Sequence, residues 1–356
     1  MTTFVQLHLL TFVPPANLNR DDTGAPKSAI VGGETRLRLS SQSLKRAWRT
    51  SDVLAERLAG HLGSRTQRFG EEMVERLVGD GVAPDVALAA TRKVIVAFGK
   101  PKGADDPKPA RTEQLAFLSP DEKEEAVSLA AAFARGETID DKAIAARVLK
   151  RADTAADIAM FGRMFADHPD FNREAAVQVA HAFTTHRVEI EDDFYTAVDD
   201  LNRREENVGA GFVGEAGFGS GVFYLYVCID TGLLTTNLGG DLALARSAVG
   251  ALVEAAATVA PNGKQASFAS RVRASHILVE KGPDQPRTLA AAFAEGVSPR
   301  DPKGILTTSS ERLVALRDAF AVAYGAGDTT AMEMRVGDPV TRSLADLVAF
   351  ASDFGA

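Results

Sequence analysis

The segment that most restricts the fold is residues 221–230, with the sequence GVFYLYVCID. Apolar side chains lie on both faces of this segment when it is extended, so we expect a central, buried strand. Residues Phe4–Val13 are also apolar and rich in β-forming side chains, and two prolines end them. These two segments predict a sheet at the centre of the protein.

Further strands and helices surround these two segments in the sequence. Ser40 or Ser41 caps a predicted helix that runs to about Ala59, and Gly239–Ala260 forms a second helix. The additional predicted strands are Thr35–Leu39, Thr184–Ile190 and Arg271–Glu280.

Two insertions interrupt this pattern. Residues from about 60 to 181, the helical block, are almost wholly helical in pattern, and Ser119 begins one helix with a capping box. A glycine-rich excursion at about 195–220 joins adjacent strands and should project as an extended hairpin. Without these insertions the order is strand, helix, strand, strand, helix, strand. This is the ferredoxin-like order of RNA-recognition folds, so we predict an α+β fold.

Composition excludes several classes of protein. The 356 residues are 45% hydrophobic and 25% charged, which is typical of a globular chain with ample core. The N-terminus has no signal-peptide pattern, and Arg246 and Glu254 interrupt the longest apolar stretch. A single cysteine and six histidines without ligand spacing indicate a reducing compartment and no metal or cofactor. We expect a cytoplasmic protein that does not bind membranes.

Charge is distributed unevenly along the chain. The whole chain carries 40 Lys and Arg against 48 Asp and Glu, a net charge of −8. Residues 1–50 nevertheless carry 7 cations against 3 anions, and no acidic residue lies between Arg36 and Arg49. One concentrated basic segment in an acidic protein indicates a surface that binds a polyanion.

Six short segments occur in one order along the chain and carry a family resemblance. They are Asn17–Asp22, Ser40–Arg49, Asp157–Met164, Gly209–Gly221, Val222–Tyr226 and Gly263–Gln265. Together they resemble the backbone subunit of the Cascade surveillance complex of type I-E CRISPR systems, the CasC family. Each segment alone is a weak signal, whereas the ordered set is specific.

The resemblance implies a protein shaped like a right hand. Residues 1–59 and 182–356 form a ferredoxin-like palm, residues 60–181 form helical fingers, and the hairpin at about 195–220 is a thumb. It also implies a non-catalytic scaffold. Several copies bind along one CRISPR guide RNA with other Cascade subunits, and present the guide for pairing with target DNA. The thumb wedges between nucleotides.

The basic segment between Arg36 and Arg49 supplies half of the candidate RNA ligands. Lys45 and Arg49 lie four residues apart and share one face of the predicted helix, while its N-terminus offers neutral donors and free backbone N–H groups. Such groups suit phosphate and sugar, and leave the coding edges of the bases free. A capped surface helix with solvated charges is the alternative interpretation. The candidates are Ser40, Ser41, Gln42, Lys45, Arg46 and Arg49.

The loop after the first strand combines donors with two carboxylates. Asn19 and Arg20 are candidate phosphate ligands, and Lys27 is a weaker one; a turn with local caps is the alternative. Adjacent Asp21 and Asp22 suggest the rival function, a metal-dependent endoribonuclease. Metal sites need more oxygen ligands than a dipeptide provides, which favours solvated or ion-paired carboxylates.

Two further motifs add candidates. Met164 matches a family position that packs against a base, and Arg163 is a candidate phosphate ligand, although such an apolar segment is as often core. Lys264 resembles a basic family position beside the RNA, with an ordinary surface lysine as the alternative.

The glycine-rich segment 209–214 formally matches a dinucleotide-binding fingerprint, but neither an apolar strand precedes it nor a helix follows. The thumb interpretation explains it better, because Phe212, Val213 and Phe218 supply apolar wedge surface. Stacking on a base is worth ~1–3 kcal/mol. A polar loop without order is the alternative.

Overall fold

The computed structural model describes residues 2–138, 140–197, 212–325 and 327–355. Within these ranges the strands are β1 (Phe4–Ala16), β2 (Ser28–Val31), β3 (Glu34–Leu39), β4 (Ser64–Thr66), β5 (Ala116–Leu118), β6 (Val177–Val179), β7 (Ala182–Thr184), β8 (Glu191–Ala197), β9 (Phe212–Asp230), β10 (His276–Gly282) and β11 (Thr330–Arg335). The α-helices are α1 (Ser41–Arg49), α2 (Asp52–Arg57), α3 (Phe69–Gly79), α4 (Pro84–Ile95), α5 (Pro120–Ala134), α6 (Asp141–Val148), α7 (Ala156–Phe161), α8 (Thr231–Asn237), α9 (Leu242–Thr258), α10 (Gln265–Phe268), α11 (Ile305–Tyr324) and α12 (Leu344–Ser352). Short 3-10 helices cover Val96–Phe98, Pro169–Phe171 and Ala290–Phe293.

β1 and β9 form the centre of an antiparallel sheet with the order β11-β10-β1-β9-β7-β3-β2. β6 and β8 also pair with β9, at its two ends. The predicted central strand is confirmed: residues 221–230 are the inner half of β9, and most of their side chains are buried. The mixed α+β class is likewise confirmed.

Alternate residues of the central strands face two different cores. Leu7 and Val227 belong to a large cluster formed with α1, α2, α9 and α12 on one side of the sheet. Leu10 and Tyr224 point to the opposite side and pack with Phe293 and the start of α11. This two-residue alternation explains why the segment is apolar on both faces.

A polar network crosses the second side of the sheet. The Nδ1 atom of His8 lies 2.9 Å from the Tyr224 hydroxyl, and its Nε2 atom lies 3.1 Å from Glu280. Arg287 donates from both terminal nitrogens to the Glu280 carboxylate, at 2.7 and 2.9 Å. These bonds link β1, β9 and β10 and satisfy polar groups that burial would otherwise penalise.

The helical block has a core of its own. Phe69, Met73 and Leu129 lead a second cluster that joins α3, α4, α5 and α6. The predicted capping box is confirmed, because Ser119 Oγ accepts from the Glu122 N–H and Glu122 accepts from the Ser119 N–H. The block is less uniformly helical than predicted, since β4 and β5 pair within it. α7, although inside the block in sequence, packs on the first core.

Three predicted elements differ in length, each because a local hydrogen bond redirects the chain. The predicted helix to Ala59 divides after Arg49, where Ser51 Oγ accepts from the Leu54 N–H and begins α2. β7 ends at Thr184 and not at Ile190, because the Thr184 hydroxyl donates to the His186 carbonyl at 2.9 Å.

β10 begins at His276 and not at Arg271, because the Ala274 N–H donates to the carbonyl of Ala257 at the end of α9. β2, β11 and α12 lie at the edge or outside of the sheet and were not predicted. No helix among the described residues is long and apolar enough to cross a membrane.

Arg163 is buried inside the helical block and bonds to several of its segments. Its guanidinium is buried against the Glu122 carboxylate at 2.5 Å, and it also donates to the carbonyl oxygens of Phe117 and Lys150, each at 3.1 Å. Arg173 forms a second buried pair with Asp153 at 2.7 Å. Charges enclosed in this way need their partners, because water cannot replace them.

Replacing Arg163 with alanine leaves the buried Glu122 carboxylate without its cation. Removing one partner of a buried pair costs about 3–5 kcal/mol. We expect the free energy of unfolding of Arg163→Ala to fall by that amount in a denaturant titration. The control is Arg135→Ala, which breaks an exposed ion pair with Glu137 and should change stability little. Equal stability of the two variants would contradict a structural role for Arg163.

Candidate nucleic-acid interface

A groove of about 760 Å³ separates α1 from the helical block. We call it the α1 groove. One wall is formed by the α1 residues Gln42, Lys45, Arg46 and Arg49. The opposite wall includes Arg65, Phe117, Phe161 and Met164. The fold therefore brings together sequence candidates that lie more than a hundred residues apart in the chain.

The position of α1 follows from its buried face. Leu44 and Trp48 are buried in the first core, and the Trp48 indole donates to the Val259 carbonyl at 3.2 Å. Residues four apart lie on one helix face, so anchoring this pair turns Lys45 and Arg49 toward the groove.

The polar groups at the N-terminus of α1 are largely engaged by the protein itself. Ser40 is buried, and its hydroxyl caps the helix by accepting from the Ser43 N–H. The Ser40 N–H donates to Asn19 Oδ1, and the Ser41 N–H donates to His181 Nδ1. Ser40 and Asn19 thus hold the helix start in place, whereas the exposed Gln42 lines the groove.

Three groove cations lack a carboxylate partner within the described ranges: Lys45, Arg46 and Arg65. Arg46 and Arg65 are exposed, while Lys45 is partly buried with its Nζ atom 5.9 Å from the centre of the Phe161 ring. Burial lowers the pKa of the Lys45 ammonium. A concave surface with several unneutralised cations attracts anions.

Arg49 is held more firmly than its neighbours. Its Nε donates to Asp157 Oδ2 at 3.0 Å, and its guanidinium carbon lies 4.1 Å from the centre of the Phe117 ring. Burial raises the pKa of the Asp157 carboxyl, while the charge of Arg49 acts in the opposite direction. Stacking on an aromatic face and an ion pair therefore fix one orientation of the guanidinium.

Met164 and Arg163 have opposite environments although they are adjacent. The Met164 side chain is 82% exposed and lines the α1 groove. The Arg163 guanidinium is buried and paired with Glu122. Arg163 also lines the groove, but both of its terminal nitrogens donate to groups within the helical block, so we leave it out of the candidate interface.

Arg20 and Lys264 lie in a different cavity of about 430 Å³ at the base of the β8–β9 hairpin. Asp192 and Glu215 line the same cavity, so its charge is mixed. Gly263, which precedes Lys264, lies against the backbone of Leu18, where a Cβ atom would come within 2.4 Å of the Leu18 carbonyl oxygen.

Lys27 lines a third, smaller cavity together with Asn19. The backbone around it is fixed, since the Lys27 N–H donates to the Asn19 carbonyl and its own carbonyl accepts from the Arg38 N–H. Lys27 does not line the α1 groove.

The two adjacent aspartates, Asp21 and Asp22, differ in their hydrogen bonding. Asp21 Oδ1 accepts from the Thr23 hydroxyl at 2.7 Å and from the backbone N–H groups of Thr23 and Ala25. The Thr23 hydrogen bond and these backbone donors lower the pKa of the Asp21 carboxyl. Asp22 is exposed beside it. Over the described ranges, no group of three or more His, Cys, Asp or Glu side chains is arranged to hold a metal ion.

β8 and the first half of β9 form the two arms of a hairpin, paired from Glu191 with Phe218 to Ala197 with Phe212. Phe218 lies at the base of this hairpin, and its ring packs 6.0 Å from that of Phe268. Phe212 and Val213 lie at the far end of the described arm, and their side chains are outside the described set. Residues 198–211, which include Gly209 and Gly211 of the glycine-rich segment, also lie outside the described residues.

Several groove residues were not predicted from the sequence. Arg65 is one cation in a short, unremarkable strand, and Phe117 is one aromatic residue in another, so neither carries a local signal. Asp157 was noted only as part of a motif, and its contact with Arg49 joins residues 108 positions apart.

Phe194, on β8, is an exposed aromatic residue that the hairpin prediction did not name.

Comparisons with known proteins identify a sequence family and solved structures that are similar to this chain. A sequence model described as CT1975-like protein matches residues 5–351. A chain of a solved structure titled "CRISPR RNA-guided surveillance complex, pre-nicking" is 28% identical with a TM-score of 0.87, and the match covers 98% of this chain and 100% of that one. Another, titled "CRISPR RNA-guided surveillance complex", is 24% identical with a TM-score of 0.72 and the same coverage, and supports the fold alone.

No curated protein sequence gives a significant match. The family match nevertheless extends over nearly the whole chain, through both sides of the sheet and the helical block. The chain therefore belongs to the CT1975-like protein family, and the resemblance to a Cascade backbone subunit that the sequence motifs indicated is confirmed.

Proposed function

We propose that the protein is a non-catalytic scaffold that binds a CRISPR guide RNA in a Cascade-type surveillance complex. One observation carries the proposal: an acidic chain concentrates Lys45, Arg46 and Arg65 in a groove where none of them forms an ion pair with a described carboxylate. Asp167 is the one acidic residue in the described lining, so the groove keeps an excess of positive charge. A ribose-phosphate strand supplies the missing negative charge. Copies of the chain, other Cascade subunits and target DNA paired to the guide are the proposed partners.

The architecture supports the palm, fingers and thumb interpretation. The strand order β10-β1-β9-β7, with α1 after β1 and α9 after β9, matches a ferredoxin-like palm. The separate core of α3 to α6 suits a finger-like insertion, and the β8–β9 hairpin suits a thumb. Because the α1 groove lies between palm and fingers, both parts would contact the same strand of RNA.

The chemistry of the α1 groove favours binding without sequence preference. Guanidinium and ammonium groups bind phosphates, and Gln42 can donate to a phosphate or a sugar hydroxyl. Met164 offers an apolar surface to a base face without reading its hydrogen-bonding edge. Base pairing, and not the protein, then determines which DNA is recognised.

Removing cations from both walls of the α1 groove tests the proposal. We expect Lys45→Ala combined with Arg65→Ala to weaken binding of single-stranded RNA of any sequence. The slope of log affinity against log salt should flatten by ~0.7 for each lost phosphate contact. The control, Arg135→Ala with Lys303→Ala, removes two cations that are already ion-paired elsewhere. An unchanged slope in the groove variant, or an equal change in the control, would contradict the proposal.

Substitution of the thumb residues tests the proposed wedge. Changing Phe212 and Val213 to serine should remove apolar contact with the bases while leaving the fold intact. We expect nuclease footprints of the assembled complex to lose their regular spacing along the guide. Val322→Ser, at an exposed position near the end of α11, is the control and should preserve the spacing. Regular footprints from the double variant would argue against the wedge.

The rival function is a metal-dependent endoribonuclease that uses Asp21 or Asp22. The turn occupies Asp21 with three hydrogen bonds, which leaves Asp22 as the freer carboxylate. We expect the assembled protein, incubated with guide, complementary RNA and Mg²⁺, to leave the RNA intact on a sequencing gel. Regularly spaced cuts that disappear in Asp22→Ala would replace the scaffold proposal with the nuclease.

A further inference from the structure

The Asp157 carboxylate joins three parts of the protein at the back of the α1 groove. It lies on α7 and is 1% exposed. Its Oδ2 atom accepts from Arg49 Nε of α1 at 3.0 Å, and its Oδ1 atom accepts from the Gly63 N–H, just before β4, at 2.7 Å. The carboxylate therefore links the palm helix to the start of the helical block.

The Arg49 guanidinium is fixed from two directions by these contacts. Nε is occupied by Asp157, and the guanidinium lies over the Phe117 ring at 4.1 Å. Nη1 and Nη2 make no hydrogen bond to any described residue, and Arg49 lines the groove. A guanidinium held in this way presents a rigid two-pronged donor, and little side-chain entropy is left to lose on binding.

We propose that Asp157 is a positioning residue for guide binding, which orients Arg49 so that its two terminal nitrogens receive one phosphate. This inference rests on the function proposed above. Lys45, Arg46 and Arg65 supply the net positive charge of the groove, whereas the Arg49–Asp157 pair is neutral as a unit. Arg49 therefore provides correctly oriented hydrogen-bond donors for the bound phosphate, whereas the other cations attract the RNA at long range.

The same pair couples RNA binding to the contact between α1 and the helical block. If a phosphate binds more tightly to the oriented guanidinium, the bound phosphate stabilises that orientation in return. The contact of Arg49 with Asp157 and Phe117 is then strengthened by the guide. Guide binding would thus hold the proposed palm and fingers together.

The Asp157→Asn variant distinguishes the orientation of Arg49 from the electrostatic attraction of RNA to the groove. The asparagine amide can still accept from the Gly63 N–H, but its NH₂ group would face the Arg49 Nε–H, and two donors cannot bond. The substitution also removes a negative charge beside the groove, so attraction alone predicts tighter binding of RNA. If Asp157 orients Arg49, the same substitution should weaken RNA binding.

We expect fluorescently labelled single-stranded RNA of mixed sequence to dissociate about tenfold faster from Asp157→Asn than from the unaltered protein, the effect of one lost charge-assisted hydrogen bond. The double variant Asp157→Asn with Arg49→Gln should dissociate no faster than Arg49→Gln alone, because Asp157 acts only through Arg49. Equal or slower dissociation from Asp157→Asn would overturn the inference.

Asp153→Asn is the matched control. Asp153 is also buried, accepts from one backbone N–H, that of Ala155, and pairs with one arginine, Arg173, but neither partner lines the α1 groove. It should lose stability while RNA dissociation stays unchanged. If Asp153→Asn accelerates dissociation as much as Asp157→Asn, loss of a buried pair explains the effect and the inference fails.

Two measurements keep the result interpretable. If Asp157→Asn does not fold, Arg49→Lys decides: it keeps the charge and the ion pair but loses the two-pronged donor, so dissociation at the unaltered rate would overturn the inference. The Lys45→Ala and Arg65→Ala variant reports separately on the proposed function. If that variant binds RNA more weakly while Asp157→Asn dissociates at the unaltered rate, only the positioning role of Asp157 is refuted. If neither variant differs from the unaltered protein, the positioning role and the proposed function are both refuted.

Discussion

The burial of β9 on both of its faces is the constraint on which the rest of the structure depends. One face packs on the core that holds α1 and α9, and the other on the core that holds α11. β9 also continues past the sheet edge as one arm of the hairpin. The same strand therefore fixes the sheet, the position of the basic helix and the direction of the proposed thumb.

The α1 groove arises where two separately packed parts meet. Trp48 anchors α1 to the core beneath the sheet, while Phe117 and Phe161 contact Arg49 and Lys45 from the other side. The rings of Phe161 and Phe117 shield one side of Lys45 and of Arg49 from water, while both residues still line the groove. A concave cationic surface of this kind attracts an extended anion that lies along the groove.

Much of the fold was predictable because its signals are local or periodic. The two-sided apolar strand, the Ser119 capping box and the basic face of α1 each lie within one element. The break before α2 and the early end of β7 were not predicted, because single hydroxyl groups of Ser51 and Thr184 decide them.

The candidate site was only partly predictable for a different reason. Lys45, Arg46 and Met164 could be named from charge and motif, but Arg65 and Phe117 join them only through the pairing of β4 with β5. The sequence also could not distinguish Arg163 from its neighbours: an arginine beside an exposed methionine looks like a ligand until Glu122 is found buried against it.

The central claim is that the α1 groove holds the backbone of a guide RNA. Ultraviolet cross-linking of the assembled complex, followed by mass spectrometry of the peptide–RNA adducts, tests it most directly. We expect adducts on peptides that contain α1 and on the peptide that contains Phe161 and Met164. Adducts confined to other surfaces, or a complex that assembles without RNA, would contradict it.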